Sequence, residues 1–163
     1  MSNNAGNVAC SAESVAMQLQ SEAVGIIEGM LAGHSDRELH ARPNPGKWSV
    51  TEIIAHLADD ELVTAWRYRQ MIERSGCDLA AFDQDLWAKL GAYVTSRADE
   101  ALVLFRLIRE ANLRMLSRLA PVQWDGWGVH AERGRITVRD LAHHMAGHDR
   151  NHINQIRKIL AKA

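Results

Sequence analysis

An all-α fold, a bundle of four amphipathic helices, is what this sequence predicts, and three observations predict it. Hydrophobic residues make up 47% of the 163 positions, enough for one domain to bury a core. Aromatic residues are only 6%, Gly and Pro number 11 and 3, and apolar runs of strand length rich in Val and Ile are absent. Over four long stretches the apolar residues recur at spacings of three and four, the period of a helix with one buried face.

After a polar tail over residues 1–11, Ser11 stands where a helix cap is expected. Val15, Leu19, Ala23, Ile26, Ile27, Met30 and Leu31 carry the first helix, and Gly33 stops it. His34 to Lys47 holds Pro43 and Pro45 and reads as a connecting loop. Ser49 and Glu52 form an S-x-x-E capping box, with Trp48 placed to pack on Ile53 as a staple, so the second helix starts here. It runs to about Arg74 with Gly76 beyond, and Ile53, His56, Leu57, Asp60 and Thr64 share a face.

Residues 76–95 form a long connection with apolar residues enough for a short helix. The third helix is expected near Ser96 with Asp99 as its cap, and Pro121 follows its end. Residues 121–136, with two Trp and two Gly turns, read as a loop or small hairpin. Thr137 with Asp140, and Ile136 with Leu141, are a second cap and staple opening the fourth helix, which continues to the end of a domain spanning 12–163.

Charge excludes some functions. Lys and Arg total 19 against 20 Asp and Glu, with no basic block to grip phosphates, so nucleic acid is not an expected partner. Residues 1–10 lack the pattern of a signal peptide and no apolar run reaches membrane-spanning length, so the expectation is a cytoplasmic protein without membrane association. Cys10 and Cys77 stand far apart without a C-x-x-C pair, which suggests neither a disulfide framework nor a cysteine metal site.

The histidines carry the chemistry. Leu141 to Ile156 contains four of the chain's eight, and His144, His148 and His152 recur every four residues, one above the next on a helix face. Residues of one helix rarely complete a metal site, and His56 on the second helix is the best candidate for a further ligand. His56 lies seven residues past Ser49, roughly 10 Å along its helix. A parallel fourth helix would bring His144 to that level, and an antiparallel one His152 first and His148 next. The long connection from 76 to 95 permits the second case. Three imidazoles from two helices would leave an open coordination position, as catalytic metals require.

These residues resemble the DinB/YfiT-like family of four-helix, metal-dependent proteins, which includes thiol transferases. The matching pieces are Gly46-Lys-Trp-Ser-Val-Thr-Glu-Ile-Ile-Ala-His56-Leu, the Thr137-Val-Arg-Asp-Leu start, and His148-Asp-Arg-Asn-His152-Ile-Asn-Gln-Ile156, in matching order over roughly residues 12–160. The resemblance implies an up-down-down-up bundle, often a homodimer, with His56, His148 and His152 as ligands of a divalent ion, commonly zinc or nickel. It further implies a transferase that joins a low-molecular-weight thiol to an electrophilic small molecule. The alternatives are a hydrolase or isomerase working through metal-activated water, and a non-catalytic stress-related metal-binding protein.

Asp60, one turn beyond His56, and His144, in the histidine row, are candidates to orient a ligand or line the pocket. Asp59 and Glu61 read as a solvated helix face, and His143 as a surface residue. His148-Asp-x-x-His152 has the form of a zinc-protease H-E-x-x-H with a shorter acid, and the third ligand that such proteases carry downstream is missing. Arg157 and Lys158 are candidate anion contacts, although cations at a helix end need no ligand. The five Trp are expected as core and loop anchors, with any near the cavity shaping an apolar substrate pocket.

Overall fold

The computed structural model describes residues 11–161, so the tail before Ser11, with Cys10, lies outside the described residues. Four long helices carry the fold: α1 (Ala12–Leu31), α3 (Val50–Glu73), α5 (Ala98–Leu116) and α7 (Val138–Leu160). Between them stand short helices α2 (Asp36–His40), α4 (Gln84–Leu90) and α6 (Pro121–Trp124), and strands β1 (Cys77–Leu79), β2 (Trp127–His130) and β3 (Gly134–Thr137).

The long helices start where capping chemistry places them. Ser11 accepts from the Ser14 N–H, and both Ser49 with Glu52 and Thr137 with Asp140 close full capping boxes. Two expectations need correction. The His34–Lys47 stretch contains α2, opened by a capping box of Ser35 and Glu38, an S-x-x-E signal overlooked beside two prolines. Helix α5 begins after Arg97, which makes no side-chain cap, and Asp99 lies inside the first turn, where it pairs with Arg97.

Paired contacts give each helix its direction. Along α1 and α7 the partners rise together, Glu13 with Arg139 and Gln20 with Ala142, so these helices are parallel. Between α3 and α7 they run in opposite senses, Asp60 meeting His148 and Thr64 meeting Met145. Gln20 and Glu28 meet Arg109 and Arg106, so α1 and α5 are antiparallel. The starts of α3 and α5 share one core cluster with Ile53, Leu57, Ala98 and Phe105, and their ends share another with Tyr68, Met71 and Leu116. The bundle is therefore up-down-down-up. The connection from Gly76 to Arg97 returns the chain to the end at which α3 began.

That connection also supplies β1, which pairs in parallel with β2, while β2 and β3 form an antiparallel hairpin from Trp127↔Thr137 to His130↔Gly134. The hairpin was expected, but its third strand was not, because Cys77-Asp-Leu is too short to show a strand period. Gly128 permits the pairing: a Cβ there would stand 2.7 Å from Leu79 Cγ. The sheet covers one end of the bundle and holds the hairpin beside the second half of α3. No helix among the described residues is long and apolar enough to cross a membrane.

Candidate metal centre

His56 reaches the centre of the bundle from α3, and His148 and His152 reach it from α7. Each offers a ring nitrogen, and the three lie within 4.8 Å of one another. The antiparallel arrangement of α3 and α7 selects these three. His144, one turn before His148, has its ring centroid 6.0 Å from that of His148, and its Nε2 faces Arg133 at 3.0 Å. It lines the cavity and does not join the cluster. His143 is exposed.

A hydrogen bond orients the His152 ring, while His148 Nδ1 makes no hydrogen bond and only faces a carboxylate. His152 Nδ1 stands 3.1 Å from Gln155 Oε1, and His148 Nδ1 stands 3.5 Å from Asp60 Oδ2. Both partners are acceptors, so we assign the ring proton to Nδ1 in each histidine, which leaves both Nε2 atoms as lone pairs. Those Nε2 atoms face one another at 3.2 Å. Nitrogens ~2.0–2.1 Å from a tetrahedral ion would be about 3.3 Å apart. Burial pushes all three imidazoles toward the neutral form, His56 to a pKa of about 4 and His148 to about 2, and neighbouring histidines add repulsion in both. Neutral rings with converging lone pairs fit a divalent cation. Trp48 packs against His56 with ring centroids 5.0 Å apart and restricts its ring.

Asp60 is also buried, and desolvation raises its carboxyl pKa to about 6. The solvated face expected around it exists only in part. Glu61 is fully buried, and Asp59 accepts from the Tyr93 hydroxyl. Glu61 belongs to a network not visible in the sequence: Arg109 of α5 bonds Glu61 at 2.8 Å, Asp149 at 2.6 and 3.0 Å and the Gln20 carbonyl at 2.8 Å. Asn112 Nδ2 donates to Glu61 Oε1 at 2.8 Å. All four long helices meet there, one residue away from Asp60 and from His148. Asp149 is thus consumed by Arg109 and is unavailable as the acid of a protease motif.

A cavity of about 450 Å³ opens beside the cluster, bounded by His56, Asp60, Arg67, His130, Arg133 and His148 among others. Arg157, which bonds Asn154, and Lys158 are exposed and do not line it. Gln155 and Arg67 were missed by sequence reasoning. Gln155 had a signal, its position one turn beyond His152, but Arg67 resembles any helical arginine until Ala80 and Phe82, between β1 and α4, come to lie against it. Cys77 is 4% exposed in the sheet's core cluster, outside the cavity. Trp66, expected as an anchor, is 61% exposed.

Residues 22–156 match the DinB superfamily profile. The chain belongs to the DinB superfamily. Two relatives of this DinB chain come from Oceanobacillus iheyensis, both named as candidate metal-dependent hydrolases. One is 25% identical over 127 residues, covering 78% of this chain and 73% of the relative. The other is 23% identical over 125 residues, covering 77% and 72%. Among solved structures, YfiT from Bacillus subtilis, described as a probable metal-dependent hydrolase with an unusual four-helix bundle topology, aligns with a TM-score of 0.86. It is 18% identical, over 96% of this chain and 91% of that one, and so speaks for the DinB fold.

Proposed function

We propose that the protein is a metal-dependent hydrolase of a small molecule, with His56, His148 and His152 holding one divalent ion, zinc or nickel. The observation that carries this reading is the convergence of the His148 and His152 Nε2 atoms, 3.2 Å apart, beside His56 and an open cavity. A divalent ion held there would acidify water toward neutrality and polarise a substrate oxygen. The chain's own groups do the rest. Gln155 holds the His152 Nδ1 proton by a hydrogen bond, and the Asp60 carboxylate 3.5 Å from His148 Nδ1 favours the proton there through its charge, which leaves both Nε2 atoms facing inward. Asp60, with a pKa of about 6, accepts a proton from water in the cavity near neutral pH and returns it to a leaving group. The names of both relatives support hydrolysis over the thiol transfer expected from the sequence.

Thiol transfer is the second reading. Among the described residues the one cysteine, Cys77, is buried away from the cavity, and this reading takes its thiol from a free cosubstrate. As part of the same proposal we place the protein in the cytoplasm as a homodimer, a state supported by Val103, Leu104 and Leu107 standing exposed along α5.

The test begins with elemental analysis of untagged wild type and His152→Ala. One ion per wild-type chain, lost in the variant, is expected; a wild type that stays metal-free after incubation with zinc and with nickel would end the proposal. Loaded protein is then given esters and amides in one series, and thiols with electrophiles in the other. Turnover without thiol consumption supports the hydrolase, and turnover only with thiol replaces it by the transferase.

A further inference from the structure

One wall of the cavity is not explained by the three histidines. Arg67 lies seven residues beyond Asp60 on α3 and is only 7% exposed. Its Nη2 donates to the Ala80 carbonyl at 2.9 Å, while its buried Nε has no hydrogen-bond partner. It forms no ion pair among the described residues, and Asp60 and Glu132 act on it only through space. A largely buried cation with one hydrogen bond and no ion pair is stabilised further when an anion enters the cavity it lines. A second arginine, Arg133, lines the same cavity.

Arg67 also marks a boundary between two spaces. An apolar groove of about 250 Å³ adjoins the polar cavity, and Arg67, Ala81 and Phe82 line both. Leu62, Trp66 and Trp87 continue the groove, with Leu62 and Trp66 at least half exposed. The guanidinium lies 5.9 Å from the Phe82 ring, so the cation sits where polar and apolar walls meet. A ligand that fits both spaces carries a negative group and an apolar chain.

We propose that Arg67 anchors the anionic group, carboxylate or phosphate monoester, of a small amphiphilic molecule whose apolar part lies along Leu62, Trp66 and Trp87. Calling that molecule the substrate rests on the hydrolase reading. Its binding does not, because Arg67 belongs to the chain whether or not an ion is held.

The full-length protein, with zinc and without, is titrated calorimetrically with acetate, butanoate, hexanoate, inorganic phosphate, hexyl phosphate and uncharged hexanol. Affinity is expected to rise about two- to fourfold for each methylene added to the carboxylate. Hexanol should bind at least tenfold more weakly than hexanoate, and whichever of hexanoate and hexyl phosphate binds tighter names the anionic group. Arg67→Met should lose at least tenfold in hexanoate affinity with zinc content unchanged, and Trp66→Ser should flatten the chain-length series. Because Arg67→Met removes a buried donor and can unfold, the Arg67 Nε resonance of wild type supplies a second readout and should shift on saturation with hexanoate. The proposal is overturned if that resonance does not respond, if folded Arg67→Met binds hexanoate as wild type does, or if anions bind only with zinc present. Failure to bind zinc, with hexanoate affinity intact, would instead remove the hydrolase reading and leave the anion site standing.

Discussion

Replacing Asp60 by Asn should stabilise the metal-free protein and weaken its hold on metal, two effects of opposite sign from one carboxylate. Burial raises the Asp60 pKa from 3.8 to about 6, so above pH 6 the folded state carries a charge that the unfolded state solvates more easily. Two units at ~1.4 kcal/mol each set an upper bound of about 3 kcal/mol on the gain from removing that charge. The amide keeps part of the desolvation cost, so a gain of about 1–3 kcal/mol at pH 7.5 is expected. For a domain of this size that is a rise of about 3–10 °C in Tm. The gain should vanish toward pH 4, where the carboxyl is protonated in the folded state.

Asp60 is also the carboxylate nearest His148 Nδ1, 3.5 Å away, where its charge favours the ring proton, and loss of a partner beside a ligating histidine typically costs about 10–100-fold in metal affinity. Urea denaturation in chelator and competitive zinc titration measure the two quantities on the same samples. An apo variant no more stable than wild type at pH 7.5 would refute the desolvation argument. Unchanged zinc affinity would refute the orienting role.

Three further outcomes follow from the same structure. Arg109→Met leaves Glu61 and Asp149 buried without their cation, and should cost about 3–5 kcal/mol in urea denaturation; adding Glu61→Gln and Asp149→Asn should restore much of it, and independent, additive losses would contradict a shared network. In chelator, His56 resists protonation until about pH 4 while an unfolded histidine protonates near 6.5, so its contribution to stability is present above 6.5 and is lost as pH falls. Asp60, with its raised pKa, acts in the opposite sense between pH 6 and 3.8, so the histidine is isolated by comparison with His56→Asn, whose stability should fall less steeply by up to about 1.4 kcal/mol per pH unit between pH 6 and 4.5. Equal slopes in the two proteins would remove the account of a buried neutral ring. Gly126→Ala would place a Cβ 2.8 Å from the Met71 carbonyl oxygen, a backbone atom that cannot rotate aside; a loss of about 1–3 kcal/mol is expected by thermal denaturation, and a neutral substitution would show that α6 and the hairpin shift freely against α3.

Local chemistry makes much of this protein legible in its sequence alone. Ser49 with Glu52 and Thr137 with Asp140 mark helix starts because a side-chain oxygen and an N–H three residues on must meet whatever the rest of the chain does. The four-residue spacing puts His144, His148 and His152 on one face for an equally local reason. Where an element depends on distant partners the signal faded. Strand β1 exists because Gly128 lets β2 approach it, and α5 starts at Ala98 without the side-chain cap that Asp99 had suggested.

The sequence by itself determined an all-helical bundle, its strongest boundaries, and a set of histidines from which a metal site could be chosen. The family resemblance named His56, His148 and His152 within that set, and the physical reason for the choice is tertiary. His148 and His152 meet His56, and His144 meets Arg133, because α7 runs antiparallel to α3 and matches their heights in reverse. Burial decided the rest: Glu61 and Asp149 became partners of Arg109, and Arg67 became a buried cation beside the site whose Nε has no hydrogen-bond partner. A charged residue has the same letter in solvent and in a core, and only the elements packed around it set the energy of its charge.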